Sequence, residues 1–446
     1  MSMHRKRNKT LGLKELVAIA LGGMVGGGIF TILGVSVSKI GSLTPIAIFA
    51  GGLVAFLASY GYVKLGVYYK DEGATFSFFK KTYVNSHFSP AVIGWFVVFG
   101  YISTLALYAY TFSAYALSST PLAHDIWTRK LVAIGIIAVF TLVNAWSVNG
   151  MGKIEDLMVY TKILILTAIS GVLIVTGSPD IPNFLKDFSS ELKNPDILGI
   201  LIVASITFVA YEGFQLVINA TGEMGKPERN IPRAIYTAIF LAITIYLIIS
   251  IGALIAIPAS DIIANKEFAL AAGAGKVLGG LGSSLVIIGA VLATSSAISG
   301  TLFGASRQMA AISQDRYMPA VLAKRKKGIP VNAVITMAVI SSMLILIGGL
   351  ELILEFGSVT FLLVSVLIAI ANFKMRRQTG SSPSLSIVSI ITLSLSGLLI
   401  IYYEFTNALH QMLFIIGMYL LLTLLAYLFA VRKNKRGINT SSSLSD

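Results

Sequence analysis

Apolar runs of about 18 residues and more recur along this chain without polar interruption. A helix that crosses a bilayer needs about 20 predominantly apolar residues. Because lipid offers the backbone no hydrogen-bond partner, a spanning segment is either a helix or a strand of a closed barrel. Barrel strands alternate apolar and polar residues, which these runs do not, so repeated transmembrane helices remain. Composition agrees: of 446 residues 56% are hydrophobic and 12% charged, and the mean hydropathy is +0.83, none of which describes a soluble surface. The length accommodates about a dozen spans with short connections and leaves no room for a separate water-soluble catalytic domain.

Spans are expected at Leu16–Ile40, Thr44–Leu65, Ala91–Leu117, Leu131–Val148, Leu157–Val175, Ile197–Thr221, Ala234–Ile257, Leu281–Ala305, Val331–Leu350, Leu354–Asn372, Leu385–Tyr403 and Leu409–Val431. The net charge of +14 sorts along these spans. With residues at the mouths of spans counted in the adjoining loops and the N-terminus placed in the cytoplasm, inner segments hold 26 of the 34 Lys and Arg. Outer loops hold 7, and Lys162 lies within a span; the 20 acids divide as 9 inside, 10 outside and Glu212 within a span. That asymmetry is the positive-inside pattern and predicts both termini in the cytoplasm. Basic clusters such as Arg5-Lys6-Arg7 and Lys324-Arg325-Lys326-Lys327 then face anionic lipid; no aromatic-interleaved basic domain points to nucleic acid.

Several chemistries are disfavoured at once. There is no cysteine, and His4, His87, His124 and His410 are scattered, so no metal site or thiol nucleophile is expected. No phosphate-binding loop motif speaks for ATP-driven pumping, and no catalytic grouping recurs at helical spacing, so no enzyme activity is expected. The first run is too long for a removable signal peptide. Ser178–Pro195 reads as an outer loop, Pro258–Lys276 as a loop with a short interfacial helix, and the serine-rich stretch from Asn439 as a disordered tail.

Two spans should break. The first contains Gly22-Gly23-Met24-Val25-Gly26-Gly27-Gly28-Ile29-Phe30, five glycines within seven residues. Glycine costs about 1 kcal/mol against alanine in a helix interior. Unwound backbone at membrane depth is tolerated only beside protein or a polar cavity. Close packing through Gly22-x-x-x-Gly26 is the competing explanation. The sixth span carries Phe208-Val209-Ala210-Tyr211-Glu212-Gly213-Phe214-Gln215, a carboxylate and a glycine near mid-membrane. Spans one and six are five apart, and an odd offset inverts orientation, as in an inverted five-helix repeat; paired interrupted helices in two such halves point to a transporter's central site. Half-helix N-termini there offer amides to an anion, and freed carbonyls accept from an ammonium, which suits a zwitterion.

The glycine run ending Gly26-Gly27-Gly28-Ile29-Phe30 resembles the G-x-G-I-F signature of the amino acid, polyamine and organocation (APC) superfamily of transporters. Phe208 to Phe214, then Glu223 and Pro227-Glu228-Arg229-Asn230-Ile231-Pro232-Arg233-Ala234-Ile235, is similar to that family's sixth helix and following loop. The likeness runs from Leu11 to about Val431 and is greatest to proton-coupled prokaryotic members. It implies an all-α membrane protein of about 12 spans with a LeuT-like 5+5 inverted repeat, broken helices 1 and 6, and two C-terminal helices. Residues 1–13 would be a cytoplasmic tail, 14–176 the first repeat, 177–196 an outer loop, 197–376 the second repeat, 385–431 the last two helices and 432–446 a partly disordered cytoplasmic tail.

The resemblance also implies site residues. A substrate carboxylate would lie on the amides of Gly26, Gly27 and Gly28, its amine on carbonyls near Met24, Val209, Ala210 and Glu212, with Tyr101 beside it. Gly152-Lys153-Ile154-Glu155 followed by Lys162 resembles the proton-coupled members, whose lysine takes the place of a sodium ion, with Gly22, Thr294, Ser295 and Ser296 as its neighbours. From the residues themselves Lys162 either snorkels to the interface or, neutralised by burial, carries a proton. Glu212 departs from the commonest family pattern; it is a second proton carrier, a counter-charge for a cationic substrate, or an acceptor for freed amides. The expectation is an amino acid transporter of the cell membrane driven by proton symport, needing no cofactor and no obligatory protein partner. Exchange of amino acids or polyamines, and a membrane sensor that binds without transporting, are the alternatives.

Overall fold

The computed structural model describes residues 11–146, 151–326 and 328–442, with the side chains at 146, 151–160, 278 and 435–442 outside the description. Among these residues every extended element is helical, and strand-like pairing is confined to isolated bridges joining Leu11 to Met224 and Lys326 to Ile329. The helices are α1 (Leu13–Met24), α2 (Gly28–Ile40), α3 (Thr44–Tyr69), α4 (Ala74–Thr82), α5 (Phe88–Leu117), α6 (Ile126–Trp146), α7 (Met151–Gly177), α8 (Ile181–Lys193) and α9 (Ile197–Thr207). They continue as α10 (Leu216–Asn219), α11 (Pro227–Ala256), α12 (Ala259–Ala264), α13 (Ala269–Gln314), α14 (Val331–Ile347), α15 (Leu350–Lys374), α16 (Arg376–Thr379), α17 (Pro383–Asn407) and α18 (Leu409–Ser442).

Ten helical stretches among the described residues are long and apolar enough to cross a membrane. One of them, Gly28–Tyr69, is α2 and α3 joined by a tight 3-10 turn, and α14 is apolar but shorter, so the expected set of spans is accounted for. Spans one and six are each interrupted, as α1/α2 and α9/α10. The sequence explains where helices start. Pro45, Pro227 and Pro383 stand in first turns, where their missing N–H costs nothing, and Asp196 and Ser382 accept from Gly199 N and Leu385 N as N-caps.

Burial sorts the helices into a centre and a shell. In α5, 94% of the most apolar window is buried, packed by α13, α15, α18 and α6; in α6 the share is 17% and in α18 22%, so these present apolar side chains outward to lipid. The glutamates and lysines of the connections pin that centre at one end. Lys266 bonds Glu351 and Glu267 bonds Arg129, tying the link between α12 and α13 to α15 and α6.

Two expectations need correction. Ser178–Pro195 is not an irregular loop: a 3-10 turn, Ser178–Asp180, leads into α8, whose Ile181, Phe184, Leu185, Phe188 and Leu192 recur at helical spacing. Its prolines stand at helix starts, which the eye reads as breakers. The serine-rich tail is likewise helical to Ser442; Arg5-Lys6-Arg7, Lys327 and residues 443–446 lie outside the described residues. The short helix expected within Pro258–Lys276 is α12. The next helix, α13, bends at Gly279, whose φ is +71°.

The closest approach between α2 and the α12–α13 link is at Gly34, where a Cβ would stand 1.9 Å from the carbonyl oxygen of Lys266. Backbone cannot yield as a flexible side chain does, so Gly34→Ala is predicted to destabilise the protein by about 1–3 kcal/mol. Gly135→Ala, with nothing within 4 Å, is the control. Thermal unfolding of both variants in detergent checks this: Gly34→Ala melts lower and Gly135→Ala matches the parent.

Candidate functional site

The first break frees three successive carbonyls. After Met24 the chain leaves helical geometry at Val25 (φ −81°, ψ 70°), Gly26 N bonds Met24 O at 2.9 Å, and α2 begins at Gly28. Each freed carbonyl is met by a side chain from a different helix. Lys162 Nζ on α7 donates to Gly22 O at 2.8 Å, Tyr108 OH on α5 to Gly23 O at 3.1 Å, and Tyr246 OH on α11 to Met24 O at 2.8 Å. Unpaired backbone at this depth costs several kcal/mol per group, which is why donors are brought here. Lys162 is fully buried, and its ammonium reaches the break.

The second break crosses the first. A 3-10 turn, Phe208–Tyr211, follows α9; Glu212 is extended (φ −70°, ψ 140°) and Gly213 has φ +128°. A Cβ at Gly213 would stand 2.4 Å from the carbonyl carbon of Gly23 and 2.6 Å from Met24 N, and one at Gly28 would stand 2.8 Å from Ala210 Cα. Only glycine permits both the φ and the approach at 213. The same Tyr246 OH lies 2.9 Å from Ala210 O, so its single proton is shared between a carbonyl of each break and ties the two together.

Gln215 organises the polar face of the crossing. Its Oε1 accepts from Gly213 N at 3.0 Å, while Nε2 donates to Glu212 Oε2 at 2.6 Å and to Tyr101 OH at 3.3 Å. Glu212 is 2% exposed, and its Oε1 has no hydrogen-bond partner. A small cavity of ≈ 20 Å³ adjoins this face, lined by Gly23, Tyr101, Tyr108, Glu212, Gln215 and Phe361 among others, with Thr104 and Thr301 adding hydroxyls. That volume admits about one water, so anything larger enters only when the surrounding helices separate. A larger cavity of ≈ 330 Å³ between α3, α8 and α11 is lined by apolar side chains alone and offers no group to hold a charge.

The expected residues are placed unevenly. Tyr101 and Glu212 line the cavity. Gly26 and Gly27 instead pack against Tyr108, Ala297 and Thr111, and Gly28 against Ala210. The amides of Gly27 and Gly28 stand at the start of α2, where helical N–H groups lack intrahelical partners, while Gly26 N is engaged by Met24 O. Met24 O already accepts from both Gly26 N and Tyr246 OH, whereas Val209 O accepts from Glu212 N at 3.2 Å and Ala210 O from Tyr246 OH, each keeping a second lone pair. Ser295 and Ser296 lie on α13, which packs along α7, and Thr294 Oγ1 bonds Ala290 O within its own helix. The motif Gly152-Lys153-Ile154-Glu155 has side chains outside the described residues.

Sequence reasoning missed Tyr108, Tyr246 and Gln215. A signal was available for Tyr246, a hydroxyphenyl group in the middle of its span, which must find an acceptor in the membrane. Gln215, one turn past Glu212, was another. Among the described residues no group of His, Asp and Glu is arranged to hold a metal ion.

With this geometry in view, likeness to known proteins becomes informative. A family model described as amino acid permease matches residues 11–416. The inner membrane transport protein YbaT of Escherichia coli is 29% identical over 96% of this chain and 97% of its own. The human large neutral amino acids transporter small subunit 2 is 26% identical over 81% of this chain and 69% of its own. The cationic amino acid transporter 7, chloroplastic, of Arabidopsis thaliana is 23% identical over 83% and 66%. The family and these relatives are transporters and not enzymes. A multi-pass helical bundle with two crossing broken helices, matched along nearly its whole length by that model, belongs to the amino acid permease family of the APC superfamily.

Proposed function

We propose that this protein carries amino acids across the cell membrane by proton symport, with both termini cytoplasmic and the inverted 5+5 arrangement relating its two broken helices. The single observation that supports coupling most is the buried ammonium of Lys162 on Gly22 O. Protonated, that lysine bridges α7 to the first break much as a bound cation would. Deprotonated, it loses its strongest hold on the carbonyl. A proton shifts a conformational equilibrium only through differential affinity for the two states. A site whose carbonyl partner lies on a half-helix that shifts between the two states has that property.

In this reading the substrate's carboxylate sits on the α2 start, Gly26 to Gly28, once Tyr108 and Thr111 withdraw, and its ammonium meets the crossing near Glu212. Movement of the helices that carry Tyr101 and Phe361 enlarges the cavity. The unpartnered Oε1 of Glu212 favours a second reading within transport, in which cationic amino acids are preferred or exchanged. The printed name of the Arabidopsis relative is in line with it.

Uptake of a panel of labelled amino acids into liposomes, with and without an imposed pH gradient, separates symporter, exchanger and non-transporting sensor. Lys162→Met is predicted to abolish the response to the gradient while binding stays within about tenfold, or about 1.4 kcal/mol. Full gradient-driven uptake by this variant overturns the coupling role. Glu212→Gln is predicted to weaken cationic amino acids by about ten- to a hundredfold and neutral ones by much less, read by competition binding. Equal effects on both classes leave Glu212 as an internal acceptor only.

A further inference from the structure

A second buried acidic site lies away from the crossing helices. Glu355, 1% exposed on α15, and Glu404, 0% exposed at the end of α17, hold their carboxyl groups against one and the same side-chain amide, that of Gln411. The side-chain amide of Gln411, in the first turn of α18, stands between them; with its nitrogen assigned to the side that faces the carboxyls, it donates to Glu355 Oε2 at 2.6 Å and to Glu404 Oε2 at 3.2 Å. The second oxygen of Glu404 is buried without any donor. The charged and titratable groups around the pair are few. Lys39 of α2 acts on both carboxyls electrostatically, but its ammonium bonds Tyr403 OH and lies 3.9 Å from the centre of that ring. Glu351, one turn before Glu355, is neutralised by Lys266.

The tally leaves two buried carboxyls against one ammonium. Two carboxyls brought to one amide cannot both ionise readily away from water, so a single ammonium nearby leaves one proton to be held between them. The pair lies near the end of its helix: Phe405, Thr406 and Asn407, directly after Glu404, are exposed and close α17. The pair is also mechanically placed. On both sides of Glu355, α15 is bound to its neighbours, Ser103 Oγ donating to Ile353 O at 2.8 Å and Ser358 Oγ to Ile206 O at 2.7 Å. Phe361, which lines the central cavity, stands about 9 Å along the same helix from Glu355.

We propose that Glu355 and Glu404 form a second proton-binding site, separate from Lys162, in which one proton is shared and holds α15 against the α17–α18 turn. Loss of the proton to water leaves two carboxylates that repel, loosening that contact. The inference stands whether or not Lys162 couples transport.

Infrared titration of the purified protein in lipid nanodiscs tests it. The parent should show a protonated-carboxyl C=O band that disappears as pH rises. Glu355→Gln and Glu404→Gln should each remove it, because a lone carboxylate beside Lys39 ionises; Glu212→Gln should leave it. Persistence of the band in Glu404→Gln would mean a proton held by Glu355 alone and overturns sharing. Absence of any band lost on either substitution overturns proton binding altogether. Lys39→Met guards against a folding artefact: removing the ammonium must move the disappearance of the band to higher pH, and an unmoved titration contradicts the site.

Discussion

Three consecutive backbone carbonyls, those of Gly22, Gly23 and Met24, set the terms for the rest of this bundle. A helix that unwinds in the middle of a membrane exposes acceptors that lipid cannot satisfy. Here a lysine from α7, a tyrosine from α5 and a tyrosine from α11 are brought to them. Those donors come from helices far apart in sequence, so the break in the first span is also the point where four helices are joined. A polar centre of this kind is stable while its donors stay and is rearranged when any of them moves.

The second break is locked to the first by contact of backbone on backbone. Gly213 against Gly23, and Ala210 against Gly28, leave no room for a Cβ, and Tyr246 bonds a carbonyl on each side. Any displacement of α9–α10 is therefore felt at once by α1–α2. Gln215 carries the same connection to the side chains, linking Glu212, Gly213 N and Tyr101. Charge is confined to very few positions near the crossing, Lys162 and Glu212, so the protonation of either changes a large fraction of the local electrostatics.

Much of this was legible in the sequence because lipid imposes one-dimensional rules. Span number follows from apolar run length, and both breaks follow from glycines and a carboxylate where a helix should be uniform. The Lys162–Gly22 pairing was expected only through family likeness, since no local pattern links residues 140 positions apart. What escaped were the tyrosines and Gln215, which resemble ordinary packing residues until the third dimension supplies their acceptors. The helix α8 escaped for a different reason: mixed charge and three prolines look like a loop, while the amphipathic spacing of Phe184, Leu185 and Phe188 was the stronger signal. The glycine run was read as a binding surface, yet Gly26 and Gly27 are packed under Tyr108 and Thr111 and Gly28 against Ala210, which is what a contracted cavity requires of them.

The central claim is that the cavity at the crossing is where an amino acid binds. The chain has no cysteine, so a single Thr301→Cys variant places one thiol on the cavity wall and nowhere else. Its rate of modification by a small maleimide, measured in proteoliposomes with and without saturating amino acids, reads occupancy of that wall directly. Protection by every amino acid that the protein transports, and by no other, is the predicted result. Transport of an amino acid that leaves the labelling rate unchanged would contradict the account.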